Sequence, residues 1–250
     1  MNMTAKSVTD VLLLILFLLL MAAPHTGNAA HEWLGACLAA ALLLHAWLNR
    51  AWYKTLFRGR YNAVRLVRLM LNAMLILFML GTLASAVPIS RTLFAFAGFR
   101  GELFFRTVHV FCAHWSFILA AVHLGMYDKR FRAAAARLFP LPRPNGHRLA
   151  SSGLSLAFAM YGLHAFFRNE LIFPLTMQSS FMLWSESTTL FLLDYTAIFF
   201  LFLWGTNVPA CLAHAWKKHA ALFLHAPLQH RMPSTGVGQN RQRSLSDQKR

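Results

Sequence analysis

The sequence predicts an all-α fold, a polytopic transmembrane bundle of about six helices. Three observations predict it. Of the 250 residues, 57% are hydrophobic and only 13% are charged. The apolar residues are concentrated in long blocks, as in membrane proteins, rather than spread over one soluble core. Nearly all of the basic residues lie between these blocks, on alternate connections.

Six apolar blocks define the helices in chain order. At about 1.5 Å per residue, such blocks cross most or all of a hydrocarbon core about 30 Å thick. None of them alternates in the way of a barrel strand, which argues against an outer-membrane barrel. We expect the third helix to end before Pro88, since proline interrupts helices. The blocks cover residues 9–23, 31–49, 66–87, 107–126, 152–168 and 188–207.

The first block allows two interpretations. Lys6, the apolar run that follows it and the small residues 27–30 are also typical of a cleaved secretory signal. Cleavage would leave His31 near the new N-terminus and five helices. We favour a retained helix, because the charge pattern of the connections then stays consistent.

The charge distribution predicts the topology. The net charge is +16, and twenty of the 24 Lys and Arg lie before the first block, in segments 50–68 and 127–151, or after residue 210. The positive-inside rule places all of these segments in the cytoplasm, together with both termini. Basic residues between apolar blocks are explained by this topology, so we expect no nucleic-acid partner. The three cysteines form no C-x-x-C motif, which excludes covalent c-type haem.

Two histidine pairs with the same spacing stand inside these blocks. His31 and His45 are fourteen residues apart, as are His109 and His123. Fourteen residues return a side chain to within about 40° of its starting face and rise about 21 Å. Because one helix separates the two blocks, they run in the same direction. His31 should then face His109, and His45 should face His123, near opposite membrane surfaces.

Facing imidazole pairs are typical axial ligands of haem iron, and ionisable residues inside a membrane are functional by default. We therefore predict two b-type haems in a four-helix core. Gly35, Ala113 and Ala120 each lie about one turn from a histidine and would leave room for a porphyrin edge. Arg50 and Arg106 are candidates for neutralising haem propionates, or else are headgroup and topology residues.

The sequence also predicts the surroundings of four other polar residues. Glu32 could orient His31, but adjacent helix residues do not face each other. Asp194 is expected to be a hydrogen-bonded structural acid, with proton transport as the alternative. We expect His114 to bond to another helix and His25 to be solvated.

One resemblance adds to this interpretation. The runs 31–35 (His-Glu-Trp-Leu-Gly), 45–49, 106–109 and 123–125 resemble the flavinylation-associated cytochrome domain, over about residues 8–127. The resemblance implies His31, His45, His109 and His123 as haem ligands and supports retention of the first helix. It also implies a bacterial inner membrane and electron transfer toward extracytosolic flavoproteins that carry covalent FMN. The chain departs from that pattern after about residue 127.

The predicted organisation has three parts. Residues 1–127 form a di-haem cytochrome b-like domain, 128–210 add two transmembrane helices, and 211–250 form a basic interfacial helix and a disordered tail. The chain shows no flavin or nicotinamide motif. We therefore expect an electron-transfer subunit, reduced by quinol or a reductase partner, rather than a complete oxidoreductase. The alternative is a haem-free transporter or assembly subunit that uses histidine and aspartate for protons or divalent metal.

Overall fold

The computed structural model describes residues 5–56, 62–97, 102–126, 148–178 and 187–206, with backbone only at 102 and 148–153. All of these residues belong to the first of the two units into which the chain divides, Met1–Pro209 and Ala210–Arg250. The predicted interfacial helix, the basic tail and the predicted cytoplasmic loop 127–147 lie outside the described residues. The predicted three-part division stays a prediction.

Throughout the described residues the secondary structure is helical, with no strand. The prediction of an all-α bundle is therefore confirmed. The helices are α1 (Ala5–Met21), α2 (Ala23–Thr26), α3 (Asn28–Leu48), α4 (Arg50–Thr55), α5 (Ala63–Ile89), α6 (Glu102–Met126), α7 (Arg148–Arg168), α8 (Ile172–Leu175) and α9 (Thr188–Gly205), with a 3₁₀ turn at Ala95–Ala97.

The six long helices coincide with the six apolar blocks. Four of them, α3, α5, α9 and Leu103–Met126 of α6, are long and apolar enough to cross a membrane. Helix α1 has 17 residues, which at about 1.5 Å each fall short of a ~30 Å core, and α7 is less apolar. The described part of the chain therefore has the helices of a membrane protein.

Local signals set several helix ends. Asn62 caps α5, because its side chain accepts a hydrogen bond from the Arg65 amide at 2.8 Å. Gly27 connects α2 to α3 with a φ of 80°, a conformation that glycine adopts without strain. The prediction that the third helix ends before Pro88 is wrong: α5 continues to Ile89. A proline this close to the end removes only one backbone bond from the last turn.

The helices pack mainly in three pairs, α1 with α3, α5 with α6 and α7 with α9, and α6 also packs against α9. The apolar core lies where α1, α6 and α9 meet. Phe117 of α6 is fully buried there, with ring centroids 5.9 Å from Phe17, 5.7 Å from Tyr195 and 5.4 Å from Phe199. Helix α9, which is the sixth predicted block, is thus part of the same core as α1 and α6.

Close backbone approach holds α9 against α7. A Cβ atom added at Gly162 of α7 would overlap the carbonyl group of Ala197 in α9. Interfaces between membrane helices are enriched in such small residues, because they let two backbones come together. A larger residue at position 162 would separate the two helices.

Candidate functional site

The four predicted histidines lie on two helices that face each other without packing closely. Helix α3 packs against α1, and α6 packs against α5 and α9, whereas α3 and α6 have little backbone contact with each other. His31 and His109 nevertheless meet across this separation. Their ring centroids are 6.1 Å apart and their planes are inclined by 76°.

The second pair lies fourteen residues further along both helices. His123 is within electrostatic range of both His45 and Asp10. The His45 side chain is 32% exposed, and His123 is partly buried. The structure brings the rings of His31 and His109 together and places His45 and His123 within electrostatic range of each other, while the role of all four as iron ligands stays a prediction.

Hydrogen bonds fix the orientation of three of the four imidazoles through Nδ1. Nδ1 of His45 donates to Asp10 Oδ1 at 2.8 Å, that of His109 to the Thr82 carbonyl at 2.9 Å, and that of His123 to Asn72 Oδ1 at 2.8 Å. Because each acceptor is an oxygen without a proton to give, the proton must sit on Nδ1. Nε2 of each ring then carries the lone pair, as a metal-binding histidine requires.

His31 is the fourth imidazole. Its ring interacts with the backbone of Leu20, near the end of α1. Its buried Nδ1 has no hydrogen bond of normal geometry, so this interaction is looser than the other three. The shared Nδ1 orientation is therefore shown for His45, His109 and His123.

The flanking helices α1 and α5 supply these partners. Helix α1 provides Asp10 and the Leu20 backbone to the histidines of α3, and α5 provides Asn72 and Thr82 to those of α6. Ser85 Oγ also lies 3.4 Å from Nδ1 of His109. Asn72 and Ser85 are two of only three buried residues that α5 has. Polar residues on the inner face of an apolar helix are the signal that could have identified them from sequence.

The predicted small residues differ in their surroundings. A Cβ atom added at Gly35 would meet only Leu20 Cδ2, at 4.0 Å, so there is open space beside this turn of α3. Ala113 is partly buried, and Ala120 packs against the apolar core. Of the three, Gly35 best fits the predicted role of leaving room.

The two predicted arginines are both exposed. The Arg50 guanidinium lies over the Trp47 ring, 4.9 Å from its centroid, and donates to the Trp47 carbonyl at 3.2 Å. This contact is typical of an arginine at a membrane interface. Arg106 lies one turn before His109 on α6. Neither position establishes a contact with a propionate.

Glu32 has a role that sequence reasoning missed. Its two carboxylate oxygens accept hydrogen bonds from Ser90 Oγ and from the backbone amides of Arg91, Thr92 and Leu93, at 2.7 to 3.0 Å. The Asn28 side chain donates a further bond at 2.7 Å. Glu32 therefore ties the start of the α5–α6 connection to α3, next to His31, instead of orienting the imidazole.

Two other histidines differ from their predictions. Nδ1 of His114 donates to the Val110 carbonyl of its own helix, at 2.8 Å, instead of bonding to another helix. His25 is only partly exposed: its ring lies 5.1 Å from that of Phe191, Nδ1 is 3.2 Å from Thr188 Oγ1, and Nε2 is buried. The short helix α2 folds back onto the start of α9, which the sequence pattern did not indicate.

The prediction that Asp194 is a hydrogen-bonded structural acid agrees with its surroundings. Its side chain is fully buried and forms an ion pair with Arg168. Tyr161 donates to the carboxylate at 2.6 Å and Asn169 at 3.0 Å. The three partners come from α7 and the turn that follows it, so the cluster joins that end of α7 to α9.

Within the described residues, no group of three or more His, Cys, Asp and Glu side chains is arranged to hold a metal ion. Paired imidazoles suit a metal whose other ligands come from a cofactor. Comparison with protein-family models, with curated proteins and with solved structures finds no match to this chain. The functional argument therefore depends on the residues themselves.

Proposed function

We propose that the chain binds two b-type haems and carries electrons across the membrane. One haem would lie between His31 and His109, and the other between His45 and His123. The observation that carries the proposal is the orientation of the imidazoles. The rings of His31 and His109 meet between opposite helices, His45 and His123 lie within electrostatic range of each other, and Nδ1 of His45, His109 and His123 is bonded to acceptors on α1 or α5.

The spacing of the outer pair fits this use. A metal–imidazole bond is about 2 Å long, and a five-membered ring with bonds of about 1.3 Å has a radius of about 1.1 Å. Two rings that bind one metal from opposite sides would therefore have centroids about 6.2 Å apart. The centroids of His31 and His109 are 6.1 Å apart. Ring planes that share such an axis can have any mutual angle, including the observed 76°.

The chain's own residues would hold and orient the cofactor. Hydrogen bonds from Nδ1 to Asp10, Thr82 and Asn72 raise the basicity of the ligand and limit rotation of the ring. The space beside Gly35 would admit a macrocycle edge. A bound haem supplies a one-electron centre, whose potential the ligands, their partners and burial would set.

The proposed partners and membrane extend the family resemblance and the charge pattern of the connections. We propose a bacterial inner membrane with both termini in the cytoplasm, which places His45 and His123 at the cytoplasmic end. Quinol or a reductase subunit would be the donor, and an extracytosolic flavoprotein that carries FMN would be the acceptor. An open apolar groove of about 490 Å³ lies between α6, α7 and α9, lined in part by Val122 and Phe166, and is the place we propose for a quinone.

Spectroscopy of the purified full chain in detergent tests the proposal. We expect low-spin ferrous haem bands and about two haems per chain. Replacement of His45 or His123 with alanine should remove one haem, and replacement of His31 or His109 should remove the other. His114→Ala is the matched control, because His114 is a buried histidine of α6 that bonds to its own helix, and this variant should keep both haems.

A folded but colourless preparation would contradict the proposal and favour the haem-free transporter or assembly subunit. Two haems that survive all four single substitutions would contradict the ligand assignment. Asp194, which that alternative would use, already has Tyr161, Asn169 and Arg168 as partners.

A further inference from the structure

The two histidine pairs differ in the charge of the groups that accept their Nδ1 protons. His45 donates to the carboxylate of Asp10, whereas His109 donates to a backbone carbonyl and His123 to a side-chain amide. His31 faces the backbone of Leu20. A formal negative charge is thus bonded directly to one of the four rings, and that ring belongs to the His45–His123 pair.

A carboxylate acts on an imidazole differently from a carbonyl group. It attracts the Nδ1 proton more strongly, which makes Nε2 a stronger electron donor to a bound metal. Hydrogen bonds to ionised acceptors are about twice as strong as those between neutral groups. A more electron-rich ligand, with a negative charge behind it, stabilises the more positive oxidation state of iron. The reduction potential at the His45 end should therefore be lower.

Other charges near the two pairs do not cancel this difference. Glu32 is close enough to His31 to interact with it, but the Glu32 carboxylate is bonded to Ser90 and to three backbone amides instead of to the ring. At the other end, Arg50 is engaged with Trp47 and Lys6 is exposed. These exposed charges are screened by solvent and salt. The Asp10 side chain is itself 41% exposed, but it is bonded directly to Nδ1 of His45, at 2.8 Å, with no solvent between them.

We propose that Asp10 is a positioning residue that gives the His45–His123 site a lower reduction potential than the His31–His109 site. The inference rests on the proposed function. It makes electron transfer favourable from the Asp10 end toward the Glu32 end. Each transfer between the two sites would oxidise one ferrous iron and reduce one ferric iron, with no proton moved between them. The electron would come from quinol, which releases its protons on oxidation, or from a reductase. With the topology proposed above, electrons would move from the cytoplasmic end of the protein toward the opposite face of the membrane.

Redox titration of the haem-loaded full chain, followed by its absorption spectrum, tests the proposal. Wild type should show two components, and His45→Ala should remove the one of lower potential. Asp10→Asn keeps a side-chain oxygen as acceptor and removes the charge. It should shift the ferric–ferrous equilibrium of the low component about tenfold toward ferrous iron, or about 59 mV for a one-electron couple. The high component should not move.

The reciprocal variant Asn72→Asp places a carboxylate on the other ring of the same pair and should lower the same component. If Asp10→Asn fails to retain haem, the shift of the low component in Asn72→Asp tests the proposal by itself. A shift confined to the low component, in opposite directions for the two variants, supports the proposal. An unchanged low component, a shift of the high component alone, or loss of the high component in His45→Ala would overturn it. A wild-type protein without haem would instead refute the proposed function.

Discussion

Replacement of Glu32 with glutamine should free the connection between α5 and α6. The carboxylate uses both oxygens as acceptors: Oε1 takes the Arg91 amide and the Asn28 side chain, and Oε2 takes Ser90 Oγ and the amides of Thr92 and Leu93. A glutamine amide has only one acceptor oxygen. Its NH₂ group must therefore face at least one backbone amide and one further donor, and these bonds cannot form.

The size of the effect follows from the bonds lost. A hydrogen bond to a charged group contributes about 1.5–3 kcal/mol, and half-exposed groups lie at the low end of that range. Water will replace part of the lost hydrogen bonding. We therefore expect the free energy of local opening to fall by about 2 kcal/mol, which is roughly a 30-fold change in the opening equilibrium. Unfolding of the whole bundle should change less, because the core lies at α1, α6 and α9.

Amide hydrogen exchange measures this opening directly, since local protection reports the free energy of local unfolding. Exchange at residues 91–93 should become roughly 30-fold faster in Glu32→Gln. Asn28→Ala is the control: it removes one exposed donor from the same carboxylate and should leave these amides protected. Exchange at 91–93 that stays within about twofold of wild type in Glu32→Gln would refute the reasoning.

Two further substitutions test other parts of the bundle. Gly35→Leu fills the open space beside α3 without meeting another helix backbone, so the protein should still fold. Its haem content should fall from about two to about one. An unchanged haem content would show that the cofactor does not use this space. Asp194→Leu leaves the Tyr161 hydroxyl and the Arg168 guanidinium without their acceptor. Because the Arg168 side chain is 39% exposed and can reach water, we expect a cost of about 2 kcal/mol, less than for a fully buried pair. The midpoint of thermal unfolding in detergent should be lower, and both haems should be retained. An unchanged midpoint would mean that the Asp194 cluster does not hold α7 to α9.

The course of the chain could be predicted from sequence because apolar blocks and helices coincide in a membrane protein. Helix α3 begins three residues before the predicted block and ends one residue before its predicted end, and its neighbours deviate by similar amounts. The facing pairs also follow from sequence, because fourteen residues return a side chain to nearly the same helix face. Both results depend on periodicity within one helix, which a single sequence contains.

The partners of the imidazoles could not be predicted in this way. Asp10 and His45 are 35 residues apart, and Asn72 and His123 are 51 apart, so their contact depends on which helices pack together and at what rotation. Glu32 meets a connection about sixty residues away for the same reason. Polar residues in α1 and α5 were visible in the sequence, but nothing local assigns each of them to a histidine.

The arrangement of the helices explains how a separation between α3 and α6 can persist. Lipid gives helices no hydrophobic reason to associate, so their association depends on packing and on hydrogen bonds. Helix α3 obtains its packing from α1 and its polar contacts from Asp10 and the Glu32 connection, and α6 obtains them from α5 and α9. Neither histidine helix needs the other to remain in place. His31 and His109 therefore meet between two helices that are each held in place by other partners.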